Sequence, residues 1–206
     1  MESGTEKYIE TVVYVSELYD FLNEKLFDGF LKKPVITIQQ DTNNKAYGWF
    51  SLKKVWKETE DDEGQNEINL SAQFLNRPIK QVAATLLHEM CHQWAQANNL
   101  QDCSRSGNYH NKIFKRIAES HGLNVECVKT LGYSYTELNA TSETLVDKFV
   151  SDNPPTIIYR LPVFKGQNVK STSTRKYVCS CCGNSVRATK RVNIICADCN
   201  CYMVEE

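Results

Sequence analysis

The sequence predicts an α+β fold: a core of helices with a small antiparallel sheet, followed by a small β ribbon. Three observations carry that reading. Apolar residues recur at helical spacing in three separate segments, short β-branched runs lie between the first two, and six of the nine cysteines fall between Cys179 and the end of the chain. With 206 residues and 41% apolar side chains, there is material for one sizeable core plus a small appended module.

The first helix is expected over about residues 8–27. Tyr8, Val12, Val15, Tyr19, Leu22 and Leu26 are spaced three or four apart, which makes one face of an amphipathic helix, and Gly29 supplies a left-handed stop. Strands follow at residues 35–38, 46–50 and 68–70, rich in β-branched and aromatic side chains. The acidic, glycine-ended stretch 58–64 reads as a solvated hairpin tip. A second helix is expected to start near Pro78, whose fixed φ suits a first turn, with Asn76 as its cap. Ile79, Val82, Ala83, Leu86, Leu87 and Met90 form its buried face. A third helix covers about 111–121, closed by Gly122, and a fourth, shorter one covers 143–150. Beyond Ser151 the composition turns to Pro, Gly, Ser and Thr, the mark of a connector, with one strand expected at 156–159. The predicted modules are therefore 1–150, a basic linker at 151–176, and a ribbon at 177–206.

Charge divides the chain in the same way. Residues 1–152 carry 16 Lys and Arg against 22 Asp and Glu, whereas residues 153–197 carry eight basic side chains and no acidic one. Two modules with different partners would produce such a split. No apolar run reaches the ~20 residues needed to span a bilayer, and the first residues show neither a basic nor an apolar leader region. A cytoplasmic location without membrane association is the expectation, and clustered cysteines in that compartment read as metal ligands before disulfides. The matches to glycosylation acceptors at Asn69 and Asn139 carry no meaning there.

The expected second helix contains His88-Glu89-Met90-Cys91-His92, an H-E-x-x-H arrangement. At 3.6 residues per turn, His88 and His92 project from one face and two imidazoles converge on one ion. Glu89 sits beside the ion's open position, placed to take a proton from a metal-activated water. A third ligand is needed. His110, at the loop preceding the third helix, fits better than His121, which lies in a last helical turn where the dipole favours an imidazolium; Glu119 and Glu126 are the remaining competitors. Cys91 lies inside the metal motif as a small buried residue, so a cysteine nucleophile is rejected.

In the tail, Cys179-Ser180-Cys181-Cys182-Gly183 precedes Cys196-Ala197-Asp198-Cys199-Asn200-Cys201. Two C-x-x-C pairs at this separation have zinc-ribbon spacing, with Cys179, Cys182, Cys196 and Cys199 as ligands to a structural zinc; Cys181 and Cys201 are surplus, and either is a potential substitute. Arg175, Lys176, Arg187, Lys190 and Arg191, with Tyr177 and Tyr202 nearby, form a set suited to phosphates and stacked bases.

The segments around His88–Trp94 and Gly107-Asn108-Tyr109-His110-Asn111-Lys112-Ile113-Phe114-Lys115 resemble the SprT-like zinc metalloproteases. The resemblance covers roughly residues 8–150. It implies a zincin-like metallopeptidase core, His88, His92 and His110 as ligands of a catalytic zinc, and Glu89 as general base. It further implies protein substrates bound or crosslinked to DNA. One local departure stands out: the glycines usual on either side of the third histidine are Tyr109 and Asn111 here. The expected function is a zinc-dependent peptidase carried to nucleic acid, single-stranded DNA in particular, by its ribbon. The competing expectation is a catalytically silent nucleic-acid-binding or adaptor protein on the same fold, which the intact Glu89 disfavours. Tyr109 and Tyr133 are the candidate oxyanion stabilisers.

Overall fold

A computed structural model of the chain describes residues 3–42, 45–105, 107–161 and 174–206. It divides into two compact units, Met1–Pro162 and Val163–Glu206. Part of the predicted basic linker, 162–173, lies outside the described residues. No described helix is long and apolar enough to cross a membrane.

The first unit is α+β. Helix α1 (Gly4–Leu26) begins four residues before its apolar stripe, because Ser3 and Glu6 form a reciprocal capping box. Its buried face is Thr11, Tyr14, Val15, Leu18, Tyr19 and Leu22; of the expected stripe, Val12 and Leu26 pack at its border and Tyr8 is exposed. Strands β1 (Val35–Gln39), β2 (Gly48–Phe50) and β3 (Glu67–Ser71) make a sheet in the order β1-β3-β2. β1 runs parallel to β3 and β2 antiparallel to it, so this sheet is mixed. The acidic excursion between β2 and β3 closes through a Trp56–Gln65 bridge, with 58–64 at its tip.

Helix α2 (Ile79–Ala97) has Pro78 itself at the cap position with no side-chain cap bond, in place of the expected Asn76. Its residues Val82, Ala83, Leu86, Leu87 and Met90 are buried, and the helix packs on α1, β2 and β3. After β4 (Cys103–Ser104) and β5 (Tyr109–His110), α3 (Lys112–Ser120) starts from an Asn111 cap, whose Oδ1 accepts from Ile113 and Phe114 N–H. That cap gives the asparagine after His110 a structural role: it starts the helix that follows. A hairpin the sequence reading missed comes next, β6 (Leu123–Val128) and β7 (Gly132–Leu138). It completes a second sheet, β4-β5-β7-β6. Helix α4 (Ala140–Asp152) is longer than expected, capped by Asn139. The strand expected at 156–159 is absent; that segment is held by Ile158 N–H to Thr11 Oγ1 and Arg160 N–H to the Ala72 carbonyl.

The second unit holds β8 (Arg175–Val178), β9 (Ser185–Ala188), β10 (Ile195–Cys196), β11 (Cys201–Tyr202) and β12 (Val204–Glu205). They form a three-stranded sheet, β12-β8-β9, and a β10-β11 pair. Among its described residues, Tyr177, Cys179 and Cys196 are buried.

Candidate metal centres and catalytic site

Helix α2 carries His88 and His92 one turn apart, and the His110 imidazole reaches them from β5. Their Nε2 atoms form a triangle with sides of 3.1, 3.1 and 3.2 Å. Three lone pairs packed this closely repel one another unless a cation lies among them. Nitrogens at the ~2.0–2.1 Å Zn–N distance in a tetrahedral set stand about 3.3 Å apart, so the donors present fit zinc. Phe114, fully buried, forms the floor: its ring centroid is 4.6, 4.6 and 4.7 Å from those of His88, His92 and His110.

Each ring is fixed from behind through Nδ1. His92 meets Asp102 Oδ2 at 2.5 Å, His88 meets the Thr136 hydroxyl at 3.0 Å, and His110 meets the Leu131 carbonyl at 3.4 Å. These partners orient the rings and hold the Nε2 lone pairs inward. Burial, then the adjacent imidazoles, keeps His88 well below its ordinary range and puts His110 at about 4. Burial pulls His92 down too, but hydrogen bonds to Asp102 and Cys103, with the charges of Glu89 and Asp102, lift it to about 10. Sequence reasoning missed Asp102, Thr136 and Phe114 as parts of the site. Only Phe114 carried a signal, as an apolar residue of the third helix.

The His110 backbone is positioned by an unusually close approach. Its N–H donates to the Leu131 carbonyl at 2.9 Å, and it pairs in register with Gly132. A Cβ at Gly132 would sit 2.1 Å from the His110 carbonyl oxygen, and the glycine has φ +71°. No other residue fits there.

Glu89 is buried beside this cluster and accepts the Phe50 N–H from β2. Burial raises its carboxyl to about 7. Tyr109 and Tyr133 each carry a cation over the ring, Arg105 at 4.6 Å and Lys115 at 5.3 Å, and among the described residues neither hydroxyl bonds to the histidines. Cys91 is fully buried with its thiol pushed well above the ordinary value, an inert core residue.

The competitors for third ligand lie elsewhere. His121 stacks between Phe27 (4.3 Å) and Trp94 (5.1 Å), and its Nδ1 bonds the Ile117 carbonyl at 2.8 Å. Burial lowers its pKa, so the imidazolium expected at that helix end gives way to a packed, neutral ring. Glu119 pairs with Lys115, and Glu126 is exposed on β6.

In the second unit, the sulfurs of Cys179, Cys182, Cys196 and Cys199 all lie within 4.8 Å of one another, which suits a tetrahedral zinc. Both C-x-x-C turns are built alike. Gly183 N–H returns to the Cys179 carbonyl at 2.9 Å and Asn200 N–H to the Cys196 carbonyl at 2.8 Å, with φ +76° and +50°. Asn184 and Asp198 join the two turns at 2.9 Å. Cys181 and Cys201 lie outside this set of four mutually close sulfurs. Backbone N–H groups of Cys182 and Cys181 pull the Cys179 thiol down to about 6, against its desolvation.

The five predicted phosphate-binding cations split into two groups. Arg175 and Arg191 pair with Glu205 at 3.2 and 3.3 Å, and Lys176 pairs with Glu206. Arg187 and Lys190 have no acidic partner among the described residues. Tyr177 is buried, its hydroxyl accepting the Val192 N–H, so it is core and not a stacking platform; Tyr202 is exposed. The Asn69 glycosylation match is fully buried in β3, and Asn139 is spent as a helix cap.

The sequence profile of the SprT-like family matches residues 15–139, more than half of the chain, and spans both halves of the histidine site. No curated protein and no solved structure matches the chain.

Proposed function

The chain belongs to the SprT-like family, and on that premise we propose that it is a zinc-dependent metallopeptidase. The observation that carries the proposal is the convergence of three Nε2 atoms at 3.1–3.2 Å beside a buried glutamate. His88, His92 and His110 would hold the zinc, which when bound would supply a Lewis acid for the scissile carbonyl and acidify a water. The Glu89 carboxylate removes a proton from the attacking water and delivers it to the leaving nitrogen. The Phe50 N–H anchors one side of the carboxylate.

The substrate backbone lies along β2. Tyr47 C=O and Ser51 N–H bond toward β3, so the backbone groups of Gly48 and Phe50 alternate to the opposite edge, where Glu89 stands. An extended peptide adding to that edge presents its carbonyl to the histidines. The ribbon, closed by four thiolates, takes a second, structural zinc and brings the enzyme to nucleic acid through Arg187 and Lys190. Proteins associated with DNA are the substrates in this reading.

Glu89→Gln tests it. The variant should keep two zinc ions per chain and lose two to four orders of magnitude in cleavage of an unfolded protein such as casein, assayed with and without single-stranded DNA. Wild-type cleavage equal to that of the variant would leave the fold as a binding module.

A further inference from the structure

Cys201 is a fifth sulfur at the four-thiolate site, and its position is specific. Its Sγ lies 3.3 Å from Cys179 Sγ, closer than the 3.6 Å between Cys182 and Cys196. Sulfurs on one zinc, at ~2.3 Å each in a tetrahedron, are about 3.8 Å apart. Cys201 therefore touches one ligand while standing outside the set of four. The β10–β11 pairing holds it there, with Cys201 opposite Cys196 across the ladder. The pair is also polarised by access: Cys179 is buried, whereas Cys201 is partly exposed.

We propose that Cys179 and Cys201 form a thiol–disulfide switch that responds to peroxide by opening the ribbon's metal site. This rests on the reading of that site as a zinc centre. The Cys201 sulfur attacks one oxygen of hydrogen peroxide, the O–O bond breaks, and one water leaves with the thiol proton. The Cys179 sulfur then attacks the Cys201 sulfenic acid, the S–O bond breaks, and hydroxide leaves to be protonated to a second water. Two electrons pass from the sulfur pair to the peroxide, and the four-thiolate set is reduced to three. Because small ribbons draw much of their folding free energy from the metal, loss of one thiolate loosens the whole unit. Thiol reductants reverse the bond.

The test uses the full chain, with zinc content measured first. Wild-type, Cys201→Ser and Cys181→Ser proteins are treated with hydrogen peroxide while released zinc is followed with a chromogenic chelator. Trypsin cuts at Arg187 and Arg191 separate the two cysteine groups, so a Cys179–Cys201 bond joins two peptides and a bond within one C-x-x-C turn does not. The expected result is release of one of two zinc ions and a peptide pair linked through Cys179 and Cys201, with Cys181→Ser behaving like wild type. Cys201→Ser should bind two zinc ions and release the ribbon ion at least about tenfold more slowly. Equal release from Cys201→Ser, or a disulfide between other cysteines, overturns the switch. A Cys201→Ser protein that binds one zinc before any oxidant overturns it differently, by making Cys201 a ligand. If wild type binds no ribbon zinc at the outset, the zinc reading fails, and the peptide map alone decides whether the sulfur pair is oxidised.

Discussion

His92 Nδ1 and Asp102 Oδ2 stand 2.5 Å apart, with both side chains almost withdrawn from solvent. The carboxylate fixes the ring proton on Nδ1 and so turns the Nε2 lone pair toward His88 and His110. It also makes the imidazole a stronger donor. Asp102→Asn keeps the shape and removes the charge. It should weaken zinc at the histidine site about 10–100-fold, in the range seen for such supporting partners, and leave the cysteine site unchanged. Chelator competition on the full chain reads the two affinities separately. Unchanged affinity at the histidines would reduce Asp102 to a packing role.

Glu89 gives a pH prediction for the metal-free protein. Its carboxyl sits at about 7 when folded, against an ordinary 4.5, chiefly through burial. A raised acid binds its proton more tightly folded than unfolded, so its ionisation costs stability as pH climbs from 4.5 to 7. The cost reaches about 3 kcal/mol above neutrality. Glu89→Gln removes it while an amide oxygen still accepts the Phe50 N–H. Without metal, the variant should melt higher than wild type at pH 8, and the gap should shrink toward pH 5. An equal gap at both pH values would mean that the carboxyl titrates normally.

The histidine site was legible because its period is local. H-E-x-x-H on a helix states its own geometry, and the apolar residues Leu86, Leu87 and Met90 mark the helix independently. His110 was legible only by comparison with His121, and packing decided between them: Phe27 and Trp94 enclose the latter. Asp102 and Thr136 were not legible. Their roles arise from β4 and β7 arriving behind α2, a tertiary placement that no periodicity encodes. The β6–β7 hairpin had a signal in Leu123, Val125 and Cys127, alternating with Asn124 and Glu126, and in Tyr133 and Tyr135 around Ser134, but its weak pattern lay between two helical segments. In the ribbon the ligand spacing was plain. The pairing of Glu205 and Glu206 with three of the cations was not, because it depends on β12 returning beside β8.

Gly132 tests how His110 is held. An alanine there forces a 2.1 Å clash with the His110 carbonyl at a left-handed φ. Gly132→Ala should cost about 1–3 kcal/mol and depress zinc binding at the histidines. Gly107→Ala is the control: its φ is +87° but nothing lies within 4 Å of the added carbon. It should carry only the backbone strain of about 1–2 kcal/mol and keep zinc. Equal loss of metal in both variants would make loop strain, not the contact with His110, the cause.

The ion pairs of the ribbon make the nucleic-acid reading specific. Arg175, Lys176 and Arg191 already have carboxylate partners, whereas Arg187 and Lys190 have none among the described residues. A phosphate meeting the first group must displace Glu205 or Glu206; one meeting the second displaces only counterions. Replacing both Arg187 and Lys190 by alanine should therefore weaken single-stranded DNA binding most. It should also lower the slope of log affinity against log salt by about 1.4, since each lost contact accounts for ~0.7. Arg175→Ala with Lys176→Ala should cost less. Glu205→Gln with Glu206→Gln should raise affinity and steepen the salt dependence, because two further cations become available. Fluorescence anisotropy across a salt series measures all three. If the Arg175 and Lys176 pair costs as much as the Arg187 and Lys190 pair, the acids do not mask the cations. If none of the three changes affinity, the ribbon does not carry the contact with nucleic acid.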